Sequence, residues 1–197
     1  MYNAIICRYH EIAIKGNNRI QFERCLMENL HWLFDPVPVK VRRVRGRIWI
    51  EKKDGGDFSD VEMEQSRARM DRAFGVESYS PARIVTPDMD AIRVALDLLA
   101  PEIFEPCLAA RQRVSFRIRA RRSDKDFPLR SKDIEIDLAT RLGDRYGNER
   151  LEIDLNHGEI TVGVEVRDEM AILFFDTLKG PGGLPVGSNA RVLGLLS

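Results

Sequence analysis

Cysteine is scarce in this chain of 197 residues, and the three present, Cys7, Cys25 and Cys107, stand far apart. With no CxxC pair and no histidine cluster nearby, neither a zinc site nor a disulfide framework is indicated. The cysteines are read as free thiols at semi-buried positions. His10, His31 and His157 are equally scattered, and none is assigned to a metal. Long apolar runs are missing as well, since no stretch reaches the roughly 18 uncharged residues that a membrane span needs. The leading MYNAIICRYHEIAIKG meets charge at Arg8 and Glu11 and has neither a basic leader nor a cleavage site. No signal peptide is read there, and a cytoplasmic location without membrane contact is expected. Catalytic signatures are wanting too: no Ser/His/Asp order, HExxH motif or isolated carboxylate pair appears. Gly180, Gly182, Gly183 and Gly187 in KGPGGLPVG fit neither the Walker spacing nor GxGxxG. They are read as a turn-rich connector after the last strand.

Net charge is absent, with 31 Lys and Arg against 31 Asp and Glu. Evenly mixed, that balance would argue against a polyanionic partner, but the signs are segregated. KVRRVRGRIWIEKK carries Lys40, Arg42, Arg43, Arg45, Arg47, Lys52 and Lys53 against Glu51 alone. RQRVSFRIRARRSDKDFPLRSK carries Arg111, Arg113, Arg117, Arg119, Arg121, Arg122, Lys125, Arg130 and Lys132 against Asp124 and Asp126. The compensating acids lie in DFSDVEME, DIEID and LEIDLNHGEI. A neutral protein with segregated charge can still present a basic face to phosphates.

Periodicity supplies the elements. AIICRY reads as a first strand, and NNRIQFERCLMENLHWLF as an amphipathic helix capped by Asn17 or Asn18 and ending near Asp35-Pro36. PVKVRRV and RIWIEKK form a hairpin around Gly46. DFSDVEMEQSRARMDRAF places Phe58, Val61, Met70 and Phe74 on a helical period that halts at Gly75, and VESYSPARIV is a further strand. The resulting βαββαβ order is the ferredoxin-like arrangement, complete by about residue 85 with a boundary at Thr86-Pro87. A helix then begins at Asp88 and is interrupted at Pro101. RVSFRIRARR alternates strictly, so Val114, Phe116, Ile118 and Ala120 face a core while the arginines share the other face. SKDIEIDLATRLGDRYG is a helix with Ser131 as N-cap, and EITVGVEVR with MAILFFDTL makes a hairpin through Asp168-Glu169. No internal repeat or low-complexity tail appears.

Arg117, Arg119 and Arg121 share one face at ~7 Å intervals, comparable to the phosphate repeat of a nucleic-acid strand. The basic loop that follows leads into a helix N-terminus, which adds backbone donors. Phe127 in that loop either stacks on a base or plugs the core, and spacing leaves both open. Lys15 and Arg19 lie in RYHEIAIKGNNR, where pairing with local acids is the simpler reading from spacing alone. Together these features describe a basic-faced, two-domain α+β binding protein.

RYHEIAIKGNNRIQFERCLMENL, FRIRARRSDKDFPLRSKDIEIDLATRL and ITVGVEVRDEMAILFFDTLKGPGGLPVGS, in that order, resemble the N-terminal half of the tRNA 4-thiouridine synthetases, also called thiamine-biosynthesis sulfurtransferases. The most specific segments are RYxEIxxKGxNR and the GGLPVG ending. The resemblance implies an N-terminal ferredoxin-like domain over 1–80 and an α/β THUMP RNA-binding domain over 81–185. Residues 186–197 would be a linker and the first strand of an ATP-pyrophosphatase domain, with Ser197 matching the first Ser of SGGxDS. It implies that these domains bind tRNA at the acceptor stem and CCA end. The RNA-facing residues would be Arg117, Arg119, Arg121, Arg122, Lys125, Arg130 and Lys132, with Lys15 and Arg19 from the first domain. Gly182, Gly183, Pro185 and Gly187 would form the joint to the catalytic domain. ATP, Mg, thiolation of uridine 8 and a persulfide-carrying cysteine desulfurase would belong to that further domain. No cofactor and no catalytic residue is expected in this chain, and none of its cysteines takes the sulfur-bearing role. The alternative is a stand-alone THUMP accessory protein that presents tRNA to a separate enzyme.

Overall fold

A computed structural model describes residues 1–188; the expected strand VLGLLS, with Ser197, lies outside the described residues. The chain divides into two compact units. One holds Asn3–Ser80 together with 177–188, the other Met1–Tyr2 together with Pro81–Asp176.

The first unit is built from β1 (Ala4–Arg8), α1 (Arg19–Phe34), β2 (Val39–Val44), β3 (Arg47–Lys52), α2 (Asp60–Met70) and the start of β4 (Ser78–Val85). Its strand order is β2-β3-β1-β4, the ferredoxin-like topology expected from βαββαβ. β2 and β3 pair from Val39↔Lys52 to Val44↔Arg47. They are joined by Arg45 and Gly46, both at positive φ (45° and 79°). A two-residue hairpin of matching twist requires that conformation, and glycine meets it without steric cost. Helix α1 buries Glu23, Leu26, Leu30 and Phe34, one stripe at three- and four-residue spacing.

Three sequence expectations for these helices are corrected. Asn18, one of the two expected residues, holds the N-cap position of α1 but does not cap it with its side chain. The chain winds in through two 3-10 turns, Glu11–Ile14 and Gly16–Asn18, so Asn18 is already helical and its side chain makes no cap bond; an N-cap needs extended backbone. Helix α2 ends at Met70 rather than at Gly75, and starts with a capping box in which Ser59 Oγ accepts from Glu62 N–H (3.2 Å) and Glu62 Oε2 from Ser59 N–H (2.7 Å). Its buried residues are Met63, Ser66 and Met70, which leaves Val61 and Phe74 exposed. Phe58 is buried as expected, but from the segment before the helix.

The second unit contains the end of β4, α3 (Met89–Ala110), β5 (Val114–Arg122), α4 (Ser131–Tyr146), β6 (Leu151–Ile153), β7 (Ile160–Arg167) and β8 (Met170–Phe174). Strand β5 runs parallel to β7 from Phe116↔Ile160 to Arg122↔Val166, but parallel to β6 only over Val114 to Phe116. β8 pairs antiparallel with β7 and with the end of β4. Pro101 does not interrupt α3, which continues through Pro101 and Pro106 to Ala110. The apolar stripe Ile92, Leu96, Leu99, Phe104 and Leu108 is buried along the whole length, and that burial outweighs the lost hydrogen bonds. Two reciprocal forks clamp α3 to α4. Arg93 donates to both carboxylate oxygens of Asp137 (2.9 and 2.6 Å), and Arg141 to both of Asp97. Arg130, not Ser131, is the N-cap residue of α4, its N–H donating to Asp133 Oδ2 at 3.1 Å.

After β8 the chain returns to the first unit. β9 (Leu178–Lys179) pairs antiparallel with Ser78 and Tyr79 of β4. Gly180 N–H donates to Glu77 O (2.9 Å), Gly182 N–H to Val76 O (2.8 Å) and Gly75 N–H to Gly182 O (2.7 Å). A Cβ on Gly180 would stand 2.3 Å from the Val76 oxygen, so the close approach of backbone to backbone requires glycine there. The Val186 carbonyl accepts from Asn29 Nδ2 at 2.9 Å and Cys25 Sγ at 3.2 Å. The stretch 177–185, placed by sequence at the end of the second domain, lies in the first unit.

Candidate nucleic-acid interface

Strand β5 alternates as its sequence predicts, with Val114, Phe116 and Ile118 buried and Arg119 and Arg121 exposed. The arginines of this strand divide into two groups. Arg117 donates from Nε to Thr161 Oγ1 (2.9 Å) and from Nη1 to the Asn156 carbonyl (2.6 Å), and Arg119 donates to the Leu155 carbonyl. Arg122 Nη1 donates to the carbonyls of Phe127 (2.7 Å) and Leu129 (3.2 Å), so this guanidinium holds the basic loop together. Phe127 is buried and plugs the core beneath the loop. Arg121 is exposed and makes no ion pair or hydrogen bond with its side chain among the described residues, and the same holds for Lys125, Arg130 and Lys132.

Acids near this group are committed elsewhere. Asp133 accepts from the Arg130 N–H, Glu135 Oε1 from the Ala120 N–H at 2.9 Å, and Asp137 from Arg93. Asp124 accepts from the Asp126 N–H at 2.8 Å; the carboxylates of Asp124 and Asp126 remain in the loop as its only negative charge. A carboxylate that accepts a backbone N–H keeps its charge, so from Arg117 to Glu135 seven cations stand against the four acids Asp124, Asp126, Asp133 and Glu135, and the end of β5 with the start of α4 is net positive.

The first unit uses its cations differently. Arg19 donates from Nε to Glu23 Oε1 (2.8 Å) and from Nη2 to the Tyr9 hydroxyl (3.0 Å). Arg43 donates to Glu23 Oε2 at 2.7 Å, and Tyr9 also donates to Glu23. Glu23 is 1% exposed. Burial pushes its pKa up, but the hydrogen bonds from Tyr9, Arg43 and Arg19 outweigh burial and hold it below the ordinary carboxylate range. Arg42 forks onto Glu51 (2.5 and 3.1 Å) over the Trp49 ring, and Lys52 meets Glu62 at 3.3 Å. Much of the first basic block is thereby neutralised locally. Lys15 lies 5.6 Å from the Phe22 ring centroid. Gly182, Gly183 and Gly187 take positive φ of 68°, 71° and 82° in the returning segment, with Pro185 between them.

No group of His, Cys, Asp and Glu that could hold a metal occurs among the described residues. Cys7 is fully buried, and burial pushes its thiol up to about 12, which makes it inert as a nucleophile. No helix among the described residues is long and apolar enough to cross a membrane.

The loop DLNH, residues 154–157, was not read from sequence as a partner of the basic strand. Asp154 Oδ1 accepts from the N–H groups of Asn156 and His157, both at 2.9 Å. That turn aims the carbonyls of Leu155 and Asn156 at Arg119 and Arg117. The signal available was Asp followed two and three residues on by turn-compatible Asn and His.

A difference in stability follows from the two groups of arginines. Arg122→Ala leaves carbonyls of the half-buried loop without their donor and is expected to cost about 1–2 kcal/mol, a fall of a few degrees in Tm. Arg121→Ala should leave Tm unchanged. Equal thermal melts for the two variants would contradict the separation.

Comparison with known proteins agrees with this architecture. Residues 4–80 match the model of the ThiI ferredoxin-like domain, and residues 88–176 that of the THUMP domain. The chain is therefore a ferredoxin-like domain coupled to a THUMP domain. The curated proteins it resembles are named probable tRNA sulfurtransferases. All of the chain aligns with a probable tRNA sulfurtransferase of Brevibacillus brevis at 35% identity, covering 46% of that relative, and with one of Thermococcus kodakarensis at 32%, covering 49%. The chain thus spans about half the length of these curated relatives. The crystal structure of PH1313 from Pyrococcus horikoshii superposes with a TM-score of 0.74 at 30% identity, over 94% of this chain and 58% of that one. A 4-thiouridine synthetase in complex with RNA and ATP shares the fold with a TM-score of 0.76 at 24% identity, over 95% of this chain and 44% of that one.

Proposed function

We propose that this chain binds tRNA and positions its acceptor stem and CCA end for ATP-dependent thiolation of uridine 8 by a catalytic domain such as the longer relatives carry. The observation that carries the reading is the group of unpaired cations Arg121, Lys125, Arg130 and Lys132 at one end of a THUMP sheet. Arg117, Arg119 and Arg122 shape the loops around them, and Lys15 supplies a cation from the first unit. Arg19 acts chiefly as counter-ion to Glu23. ATP and Mg would serve the catalytic domain, sulfur would come from a persulfide-carrying cysteine desulfurase, and the protein would work in the cytoplasm. Gly182, Gly183, Pro185 and Gly187 would set the chain's direction toward that domain. The relatives named tRNA sulfurtransferases support this reading.

The test is a binding titration of tRNA with and without its CCA end at fixed low salt. The intact tRNA is expected to bind several-fold more tightly. Equal affinities would remove the acceptor-end assignment and leave general RNA binding in place.

A further inference from the structure

Trp32 is the most exposed large apolar side chain among the described residues, at 77%. Tryptophan is highly buried on average, so an indole left in water calls for a reason. Its position on α1 shows how it comes to be outside. The helix packs through Leu26, Leu30 and Phe34, and Trp32 stands two residues from the last two, about 200° round the helix from each. Packing of α1 makes no use of it.

Within this first unit, Trp32, Leu33 and Asp35 at the end of α1 and Ala68, Arg69 and Arg72 around the end of α2 line a hollow of about 360 Å³. The Arg69 guanidinium lies over the Phe34 ring, 5.7 Å from its centroid, and reaches Gln65 Oε1 only at 3.5 Å. The side chains of Asp35 and Arg72 make no ion pair or hydrogen bond among the described residues. Two cations and a carboxylate thus share one hollow with an indole and do not pair across it. Such a lining suits a ligand with an anion for the guanidiniums, N–H donors for the carboxylate and a flat ring for the indole.

We propose that this hollow binds a guanine nucleotide, its base on the Trp32 indole, its phosphate on Arg69 and Arg72, and its N1–H and N2–H groups on the Asp35 carboxylate. Stacking on an aromatic ring is open to every base, so the carboxylate makes the choice. Guanine offers two adjacent N–H donors on its pairing edge, which a carboxylate accepts as a fork. Adenine, cytosine and uracil each place an acceptor beside the donor on that edge, and the carboxylate repels it. The nucleotide comes from one of two sources, free in solution or as an unpaired guanosine within an RNA strand. The hollow belongs to the first unit, so its assignment does not depend on the cations at the end of β5.

The experiment follows the indole N–H resonances of the full chain during titration with GMP, AMP and inorganic phosphate. The chain has two tryptophans, and Trp49, fully buried, serves as the internal control. GMP should shift the Trp32 resonance and leave that of Trp49 in place, and AMP should bind about tenfold more weakly, the discrimination of one bidentate contact. Asp35→Asn should remove the preference for GMP. Arg72→Ala should weaken GMP about tenfold while guanosine binds as before. Both side chains are exposed and unpaired, so melting curves should not change. By calorimetry, Trp32→Ala should abolish binding and Trp32→Phe retain it. A single-stranded RNA carrying one guanosine, set in competition with GMP beside its adenosine counterpart, separates the sources. Tighter binding than GMP assigns the strand, absence of competition assigns the free nucleotide, and both support the guanine site. No shift of Trp32 with GMP, equal affinities for GMP and AMP, or a response to phosphate alone that matches GMP each overturns it. A change of oligomeric state in Trp32→Ala also overturns it, giving the hollow to a second copy of the chain.

Discussion

Replacing Arg121, Lys125, Arg130 and Lys132 together by alanine is expected to remove most of the salt dependence of RNA binding. Each phosphate neutralised contributes about −0.7 to −0.9 to the slope of log affinity against log salt, so four contacts give a slope of about −3. Raising salt from 50 to 200 mM should then weaken the unsubstituted protein by about 50- to 150-fold, while the fourfold variant should show a nearly flat titration and much weaker binding at low salt. None of these side chains has a protein partner among the described residues, so thermal stability should not fall with affinity. A slope that stays steep in the variant would place the phosphate contacts elsewhere, on Lys15 or the strand arginines.

Arg19→Ala combined with Arg43→Ala should be among the most destabilising changes in the first unit. Both guanidiniums donate to Glu23, whose side chain is 2% exposed, while they themselves reach solvent. Removing them strands a buried carboxylate with only Tyr9, at an expected cost of about 3–5 kcal/mol. Glu23→Gln should cost less, because it removes the buried charge and leaves two arginines that water can solvate. Chemical denaturation of the two variants checks the order, and equal losses would contradict it. Acid titration gives the same network a sign. The folded pKa of Glu23 lies below its unfolded value, so its contribution is complete above the unfolded carboxylate range and lost as pH falls through the lower, folded value. The acid-side loss of stability should therefore be shallower in Glu23→Gln.

The ferredoxin-like order was legible because most of its elements carry a local pattern: a continuous apolar run in β1, a three- and four-residue stripe in α1, and glycine where a two-residue hairpin needs positive φ. Helix limits were less legible. At Asn18 and Pro101 the local preference was overridden by packing, by 3-10 turns leading into α1 and by burial of the α3 stripe on both sides of the proline. The basic strand was legible as a charge pattern, but charge does not reveal its partner. Arg119 and Arg121 look equivalent in RIRARR, yet one is tied to a carbonyl 36 residues away and the other is unpaired. That difference depends on a parallel strand pairing and a distant turn, neither of which leaves a mark within the strand itself.

The return of β9 to β4 bears on biosynthesis. A chain emerging from the ribosome usually completes its domains in order, the N-terminal one first. Here the strand at Leu178 and Lys179, and the backbone donors of Gly180 and Gly182, reach Val76, Glu77 and β4 only after 81–176 have been made. The domain that begins first is therefore the last to close.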